Sequence, residues 1–412
     1  MTRSGTVRTD ILAKSCLQPA GNTFRHIGTR HIKTMTSVIR IIFQFIKKET
    51  ILTISWVAAM VSSFFVPPGP EYLRYIDFRS LGILWSLMIV MEGLKKIGFF
   101  SHIGERLLKR THKVWQLVTV LVMLCFFFSM LITNDVALIT FVPFTIYILA
   151  QIDMTYLLIP VIVLQTLAAN LGSMLTPVGN PQNLYLYGIS GMSFASFIRL
   201  MAPYTGLTLI LLLLSICFIK GKGNDIPVNP LKQQPHADPH KITNVSIYGA
   251  LFLFALLVVL RILPFWILCI IVLITVFVID KKVLVSIDYA LLFTFIGFFI
   301  FTGNLGNIPS VSAFLTNMIA GREVVTAVAA SQIISNVPAA LLLSGFTDDY
   351  ASLIIGVNLG GLGTLIASMA SLISFKSLAH NFNAKKGWYF LDFTLMNLLY
   401  LAILLGLWFV IG

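Results

Sequence analysis

The sequence predicts an all-α polytopic membrane protein, and three observations carry that reading. Of 412 residues, 57% are hydrophobic and only 11% charged, against about 25% charged in a soluble domain. The apolar residues come in runs such as Ile267–Ile279, not in the polar/apolar alternation of an outer-membrane barrel. Several runs approach the roughly 20 residues a helix needs to cross a bilayer. A water-soluble enzyme is excluded on this composition. So is a nucleic-acid partner, despite the formal net charge of +13, because there is too little polar surface to form a basic face.

Residues 1–48 read as a basic cytoplasmic tail, with nine Lys and Arg against the single acid Asp10. The tail is acid-poor and lacks a long apolar core, so it is not a secretory signal. Met35, ahead of a short amphipathic stretch, suggests that 1–34 is a start-site extension, the alternative being a cleaved transit-like segment. Simple crossings follow at 50–66, 80–97, 204–220, 246–260, 263–279, 288–306 and 391–411. The stretches 155–190 and 350–375 are apolar but interrupted by Gly, Asn or Pro, and read as broken helices. The stretches 114–150 and 322–346 have a polar break at mid-length and read as re-entrant hairpins. The expectation is about nine transmembrane helices, two of them broken, plus two re-entrant hairpins. With that topology, Lys and Arg beyond residue 48 divide fifteen to five, the minority being Arg74, Arg79, Arg199, Arg261 and Arg322. Cytoplasmic loops carry the excess, so the N-terminus is expected in the cytoplasm and the C-terminus outside the inner or plasma membrane. The four cysteines show no metal-binding spacing.

The halves repeat. Ile76-Asp77-Phe78 and Ile287-Asp288-Tyr289 each open a span; Thr133-Asn134-Asp135 and Ser335-Asn336-Val337 each centre a hairpin. Asn170-Leu171-Gly172-x-x-x-Thr176 returns as Asn358-Leu359-Gly360-x-x-x-Thr364. An odd number of crossings separates the halves, so the repeats are expected to be inverted: an N-terminal repeat (49–220) with a cytoplasm-facing hairpin (114–150), a cytoplasmic linker (221–243), and a C-terminal repeat (244–412) with an outward-facing hairpin (322–346).

Non-helical backbone survives in a membrane only where it is buried in protein or lines a cavity. Four breaks placed alike in two halves therefore point to one central site. Thr133, Asn134, Ser335 and Asn336 sit at the hairpin tips, where Asn or Asp caps a new helix and the helix N-terminus attracts an anion. Asn183 and Ser371, in the broken helices, complete the expected substrate contacts. Gly172, Gly179, Gly360, Gly361 and Gly363 expose carbonyls, and Asn170, Thr176, Asn180, Asn358, Thr364 and Ser368 supply neutral oxygens. Such oxygens suit a hard cation, Na⁺. Asp135 is the acid placed near mid-membrane, where an ionisable group is by default functional. Simple capping by the Asn residues and close packing by the glycines are the structural alternatives. Glu92 reads as an i,i+4 partner of Lys96, and Arg261 as an interfacial anchor.

The segments ITNDVALITFVPF (132–144), ANLGSMLTPVGNPQN (169–183), SNVPAALLLSGF (335–346) and GVNLGGLGTLIASMASLI (356–373) resemble the ion transporter superfamily. They look most like its citrate-transporter-like and arsenite-permease-like anion permeases, related to the divalent anion/sodium symporters. The resemblance implies inverted repeats, transport and scaffold domains, a homodimer, elevator movement and two cation sites at the tips and breaks. The dicarboxylate symporters carry Ser-Asn-Thr at both tips, whereas this chain has Thr-Asn-Asp and Ser-Asn-Val. The function expected is secondary active transport of a small anion, a carboxylate or oxyanion, coupled to H⁺ or Na⁺. The alternative is a cation/proton antiporter using Asp135. No enzyme activity and no resident cofactor are expected; the partners are the small anion and the lipid bilayer.

Overall fold

A computed structural model describes residues 46, 49–221, 223–226, 241–382 and 386–411. Most of the basic tail and of the linker lies outside the described residues. By contact the chain divides between Ile54 and Ser55, and the unit Ser55–Gly412 carries the architecture discussed below. The described residues form helices α1 (Thr50–Ser63), α2 (Tyr72–Tyr75), α3 (Phe78–Lys96), α4 (Phe99–Leu108), α5 (Val114–Phe128) and α6 (Asn134–Gln151). Then come α7 (Leu158–Gly172), α8 (Pro181–Ser190), α9 (Phe194–Cys217), α10 (Lys241–Val259), α11 (Phe265–Ser286) and α12 (Tyr289–Gly306). The chain ends with α13 (Pro309–Ile319), α14 (Glu323–Ile334), α15 (Asn336–Leu343), α16 (Tyr350–Leu359), α17 (Met369–Asn381) and α18 (Lys386–Ile411). The all-α expectation holds, and the protein is a multi-pass membrane protein. Five stretches among the described residues are helical, long and apolar enough to cross a membrane: Asn134–Gln151, Thr155–Leu175, Phe194–Cys217, Tyr289–Gly306 and Lys386–Ile411.

Those five differ in what surrounds them. In Thr155–Leu175, 89% of the apolar window is buried inside the protein, against 22% in Lys386–Ile411. The first is therefore packed by protein on nearly all sides, and the second leaves most of its apolar surface exposed. Phe64, Phe218, Val285 and Val410 add to an exposed apolar surface of the kind that in a soluble protein marks an interaction site.

Polar local signals set the helix starts. Asp77 and Asp288, the paired acids of the repeat, each have φ −80 and each cap the following helix. Asp77 accepts from the N–H groups of Arg79 and Ser80, and Asp288 from those of Ala290 and Leu291. Both polar breaks form helical hairpins, α5–α6 and α14–α15, and both Gly/Asn-rich stretches interrupt a helix, between α7 and α8 and between α16 and α17.

The halves pack crosswise. Helix α6 of the first hairpin lies against α17 of the second broken helix, and α15 of the second hairpin lies against α8 of the first. Helix α3 packs instead on α10 and α11. At Gly93 of α3 the Tyr248 ring of α10 comes so close that a Cβ would overlap it.

Two expectations need correction. Glu92 pairs with Lys95 at 2.9 Å, one residue nearer than expected. Lys96 pairs instead with Asp280, a residue of non-helical backbone that interrupts α11 beyond the expected 263–279 span. At the kink the Asp280 carboxylate meets the Lys96 ammonium at the end of α3 and also accepts from the Lys282 N–H.

Gly93→Val is expected to lower Tm in detergent, since overpacking costs about 1–3 kcal/mol. Gly249→Ala on α10, where a Cβ meets nothing within 4 Å, is expected to leave Tm unchanged or raised. Equal losses in both variants, read by a thermal melt, contradict this packing.

Candidate functional site

Each hairpin tip is fastened to the adjoining break by the same three contacts. The backbone N–H of Asn134 donates to the Gly179 carbonyl at 3.0 Å, and that of Asn336 to the Ala367 carbonyl at 2.9 Å. The Thr176 hydroxyl donates to the Met130 carbonyl, and the Thr364 hydroxyl to the Gln332 carbonyl at 3.3 Å. A Cβ on Gly172 would overlap the Phe126 carbonyl and crowd the Ser129 hydroxyl, and one on Gly360 would crowd the Ser331 side chain. Glycine is therefore required at both positions for the break to lie against the hairpin. A Cβ on Gly179 would overlap Ser173, and one on Gly361 would approach the Asn336 amide.

Behind the tips the two broken helices are joined by buried side chains. The Asn358 amide donates to Asn183 Oδ1 at 2.7 Å, and Asn358 Oδ1 accepts from the Asn180 amide at 3.2 Å. Reciprocally, Asn170 donates to the Ser371 hydroxyl at 3.3 Å and accepts from the Ser368 hydroxyl at 3.0 Å. The partners are sequence equivalents: 170 with 358, 180 with 368 and 183 with 371 all lie 188 residues apart. Each anchor Asn thus reaches the same two positions of the opposite half. Asn170 also accepts from the Asn134 amide at 3.1 Å, which links the brace to the first tip.

The sequence places Asn134 and Asn336 as caps, but neither tip has a side-chain cap. Thr133, the N-cap residue of α6, and Ser335, that of α15, make no capping bond. Asn134 Oδ1 instead accepts from the next residue's N–H, at 3.0 Å. Ser368 at the start of α17 likewise makes no cap, because its hydroxyl is turned to Asn170. Asn180 alone of these four caps its helix, α8, by accepting from Asn183. Helices leave their first N–H groups without intrahelical partners; in α6 and α15 the first is given to Gly179 and Ala367, and the second of α6 to Asn134 Oδ1, so only the remaining first-turn N–H groups are left for a ligand. Ser335 also holds φ 74 and ψ 155, a region sparsely populated by residues with a Cβ and typical of functional sites.

All four N-termini border one narrow cleft of about 10 Å³, room for about a single water, lined by Asn134, Asp135, Pro181, Gln182, Leu291, Asn336, Val337, Ser368 and Met369. No Lys or Arg lines it. The positive potential comes from helix ends, and the lone carboxyl from Asp135, which is half-buried.

Of the expected site residues, Asn134, Asp135, Asn336 and Ser368 line the cleft. Asn170, Asn180, Asn183, Asn358 and Ser371 form the brace behind it, their polar groups engaged with one another. Thr176, Gly172, Gly179, Gly360 and Thr364 fasten the tips, and Thr364 is exposed. Three residues were missed. Gln332 donates to the carbonyls of Gly360 and Leu362 at 3.0 and 2.8 Å and accepts from the Thr364 N–H at 2.9 Å. It lies directly over Gly363, whose φ is 105. Gln182 lines the cleft one residue before Asn183, in a segment already rich in amides. Arg261, expected at the lipid interface, donates to the Tyr187 carbonyl at 2.9 Å and stacks on the Tyr187 ring, closing the C-terminal end of α8. The negative end of α8 attracts the guanidinium there.

Residues 38–351 match the family model described as citrate transporter. The chain belongs to that family. It is 34% identical over 320 residues to the inner membrane protein YbiR of Escherichia coli, covering 76% of this chain and 84% of that protein. It is 31% identical over 337 residues to the uncharacterized transporter MJ0456 of Methanocaldococcus jannaschii, covering 82% and 90%. A shorter match, 31% identical over 146 residues, joins it to the silicon efflux transporter LSI3 of Oryza sativa, covering 35% and 30%. The protein is a membrane transporter of the anion and organic-ion class.

Asn358→Ala is expected to destabilise the folded protein by at least about 2 kcal/mol, because it strands two buried amides. A double-mutant cycle of Asn180→Ala with Asn358→Ala should show coupling above about 0.5 kcal/mol. Denaturant unfolding in micelles measures both, and additive losses count against the brace.

Proposed function

We propose that this protein is a secondary active transporter that moves a small anion, a carboxylate or oxyanion, by alternating access. The observation that carries the proposal is the convergence of four helix N-termini on one cleft without a cationic side chain. Uncapped N–H groups bind oxyanions by hydrogen bond and partial charge, and their fixed geometry needs no reorganisation as the ligand enters. Family membership supports the same reading.

Asp135 supplies the coupling. An ionised carboxylate beside a bound anion is repelled, so anion binding favours the protonated acid, and each substrate then travels with a proton. Na⁺ coupling through the carbonyls and neutral oxygens of the breaks is the other form of the same proposal. The nine-span inverted topology, the cytoplasmic N-terminus and the homodimer belong to this reading. The crossed hairpins and broken helices form the moving element. They carry the cleft past α3, α10 and α11, and α12 contributes Leu291 at the boundary. Catalysis forms no part of the role.

The carboxyl in the cleft also favours one rival, a cation/proton antiporter in which Asp135 exchanges the two ions. Proteoliposome transport separates them. Under the anion reading, Asp135→Asn abolishes uptake driven by a pH gradient yet leaves anion counterflow. If Asp135→Asn abolishes Na⁺/H⁺ exchange and no anion moves in the wild type, the antiporter is correct. Asn134→Ala and Asn336→Ala are each expected to raise the KM for the anion at least about fivefold, since each loss of a polar contact costs about 1 kcal/mol or more. An unchanged KM in both variants removes the tips from the binding site.

A further inference from the structure

The helix that leads into each hairpin has the same place in both halves but not the same charge. Helix α13 carries no Lys, Arg, Asp or Glu. Helix α4 carries Arg106 in its last turn, and Lys109, Arg110 and Lys113 follow before α5 begins. All four cations are exposed. On the inner face of α4, Phe100, Gly104 and Leu108 are buried, with Gly104 against the Phe144 ring of α6, so the helix lies along the base of the first hairpin. The cations at the end of α3 are neutralised, Lys95 by Glu92 and Lys96 by Asp280. Arg106, Lys109, Arg110 and Lys113 form no ion pair among the described residues. The acids beside them are Glu105 on α4 and Asp225, whose backbone bridges that of Lys113, so the positive charge there is in excess. Leu107 and Trp115, 42% and 45% exposed, add apolar surface to the same stretch.

We propose that the end of α4 and the start of α5 form a binding surface for an anionic phospholipid, which holds its headgroup phosphate among the four cations and its acyl chains along Leu107 and Trp115. Charge complementarity selects that occupant. Unpaired cations beside a membrane attract an anionic headgroup, and a guanidinium takes two phosphate oxygens at once. An exposed Trp next to a basic amphipathic helix suits the headgroup level of the bilayer. A soluble anion could use the cations but would leave Leu107 and Trp115 uncovered. Because α4 joins α3 to α5, lipid bound there sits at the entry to the first hairpin, whatever ion the cleft carries.

The test melts the purified full chain in detergent micelles doped with phosphatidylglycerol or with phosphatidylcholine of the same acyl chains. Phosphatidylglycerol is expected to raise the Tm at least about 3 °C more, and about 0.5 M salt, which screens exposed charges, should remove the difference. In Arg106→Gln/Lys109→Gln/Arg110→Gln the difference should fall below about 1 °C, since each cation is worth roughly fivefold in affinity. Lys281→Gln/Lys282→Gln, which removes exposed cations next to Asp280, should keep it. A difference that is absent from the wild type, survives in the triple variant or is lost equally in both variants overturns the proposal. So does an equal rise with glycerol 1-phosphate, which has the phosphate but no chains. A second reading needs no charge variant: phosphatidylglycerol brominated in its chains should quench the Trp115 emission, taken as the difference from Trp115→Phe, more strongly than brominated phosphatidylcholine. Equal quenching by the two lipids counts against the surface.

Discussion

The arrangement depends on the reciprocal hydrogen bonds between the two broken helices. Asn170 and Asn358 each occupy the end of one half-helix and each engage two positions around the start of the opposite one. These links tie the start of each later half-helix directly to the end of the opposite half's first segment, beyond the hold of the hairpin tips. Buried amide pairs are stable only when every partner is present, so the brace also selects one geometry from the many that apolar packing alone tolerates.

The brace relieves a problem that the membrane imposes. A broken helix inside lipid exposes backbone groups that must be paired, and here the hairpin tips pair some of them through Asn134 and Asn336. The same economy creates function. Because Ser368 is turned to Asn170 and Asn134 to Asn170 and its neighbour's N–H, the helices that begin there are left without caps. The first-turn N–H groups that the fold leaves unpaired are the donors proposed for the site. Arg261 at the far end of α8 and Gln332 over the second break hold these elements from outside the cleft.

Much of this was legible in the sequence because it repeats. The recurrence of Asn-Leu-Gly-x-x-x-Thr located both breaks, and the two Asn-containing tips located both hairpins. The apolar runs marked the helices, although Asp280 bends one of them beyond its expected end. What remained hidden depended on distant partners. The bonds of Asn170 to Ser368 and Ser371 and of Asn180 to Asn358 were hidden because these partners lie in the opposite half. Gln332 sits in the apolar arm ahead of its tip, and its carbonyl partners are some 30 residues away. The contact of Arg261 with α8 was hidden because its acceptors are backbone carbonyls, which carry no sequence signal. Gln182 was overlooked among neighbouring amides that are all satisfied, and only burial reveals that its oxygen is not.

The central claim is that four helix ends, held by the brace, bind one anion between them. The most direct measurement is the structure of the purified transporter in lipid nanodiscs with a transported anion, compared with the same preparation without it. The account predicts ligand density in the cleft, within hydrogen-bond distance of the starts of α6, α8, α15 and α17. Density for the anion elsewhere, with the cleft unchanged between the two preparations, contradicts it.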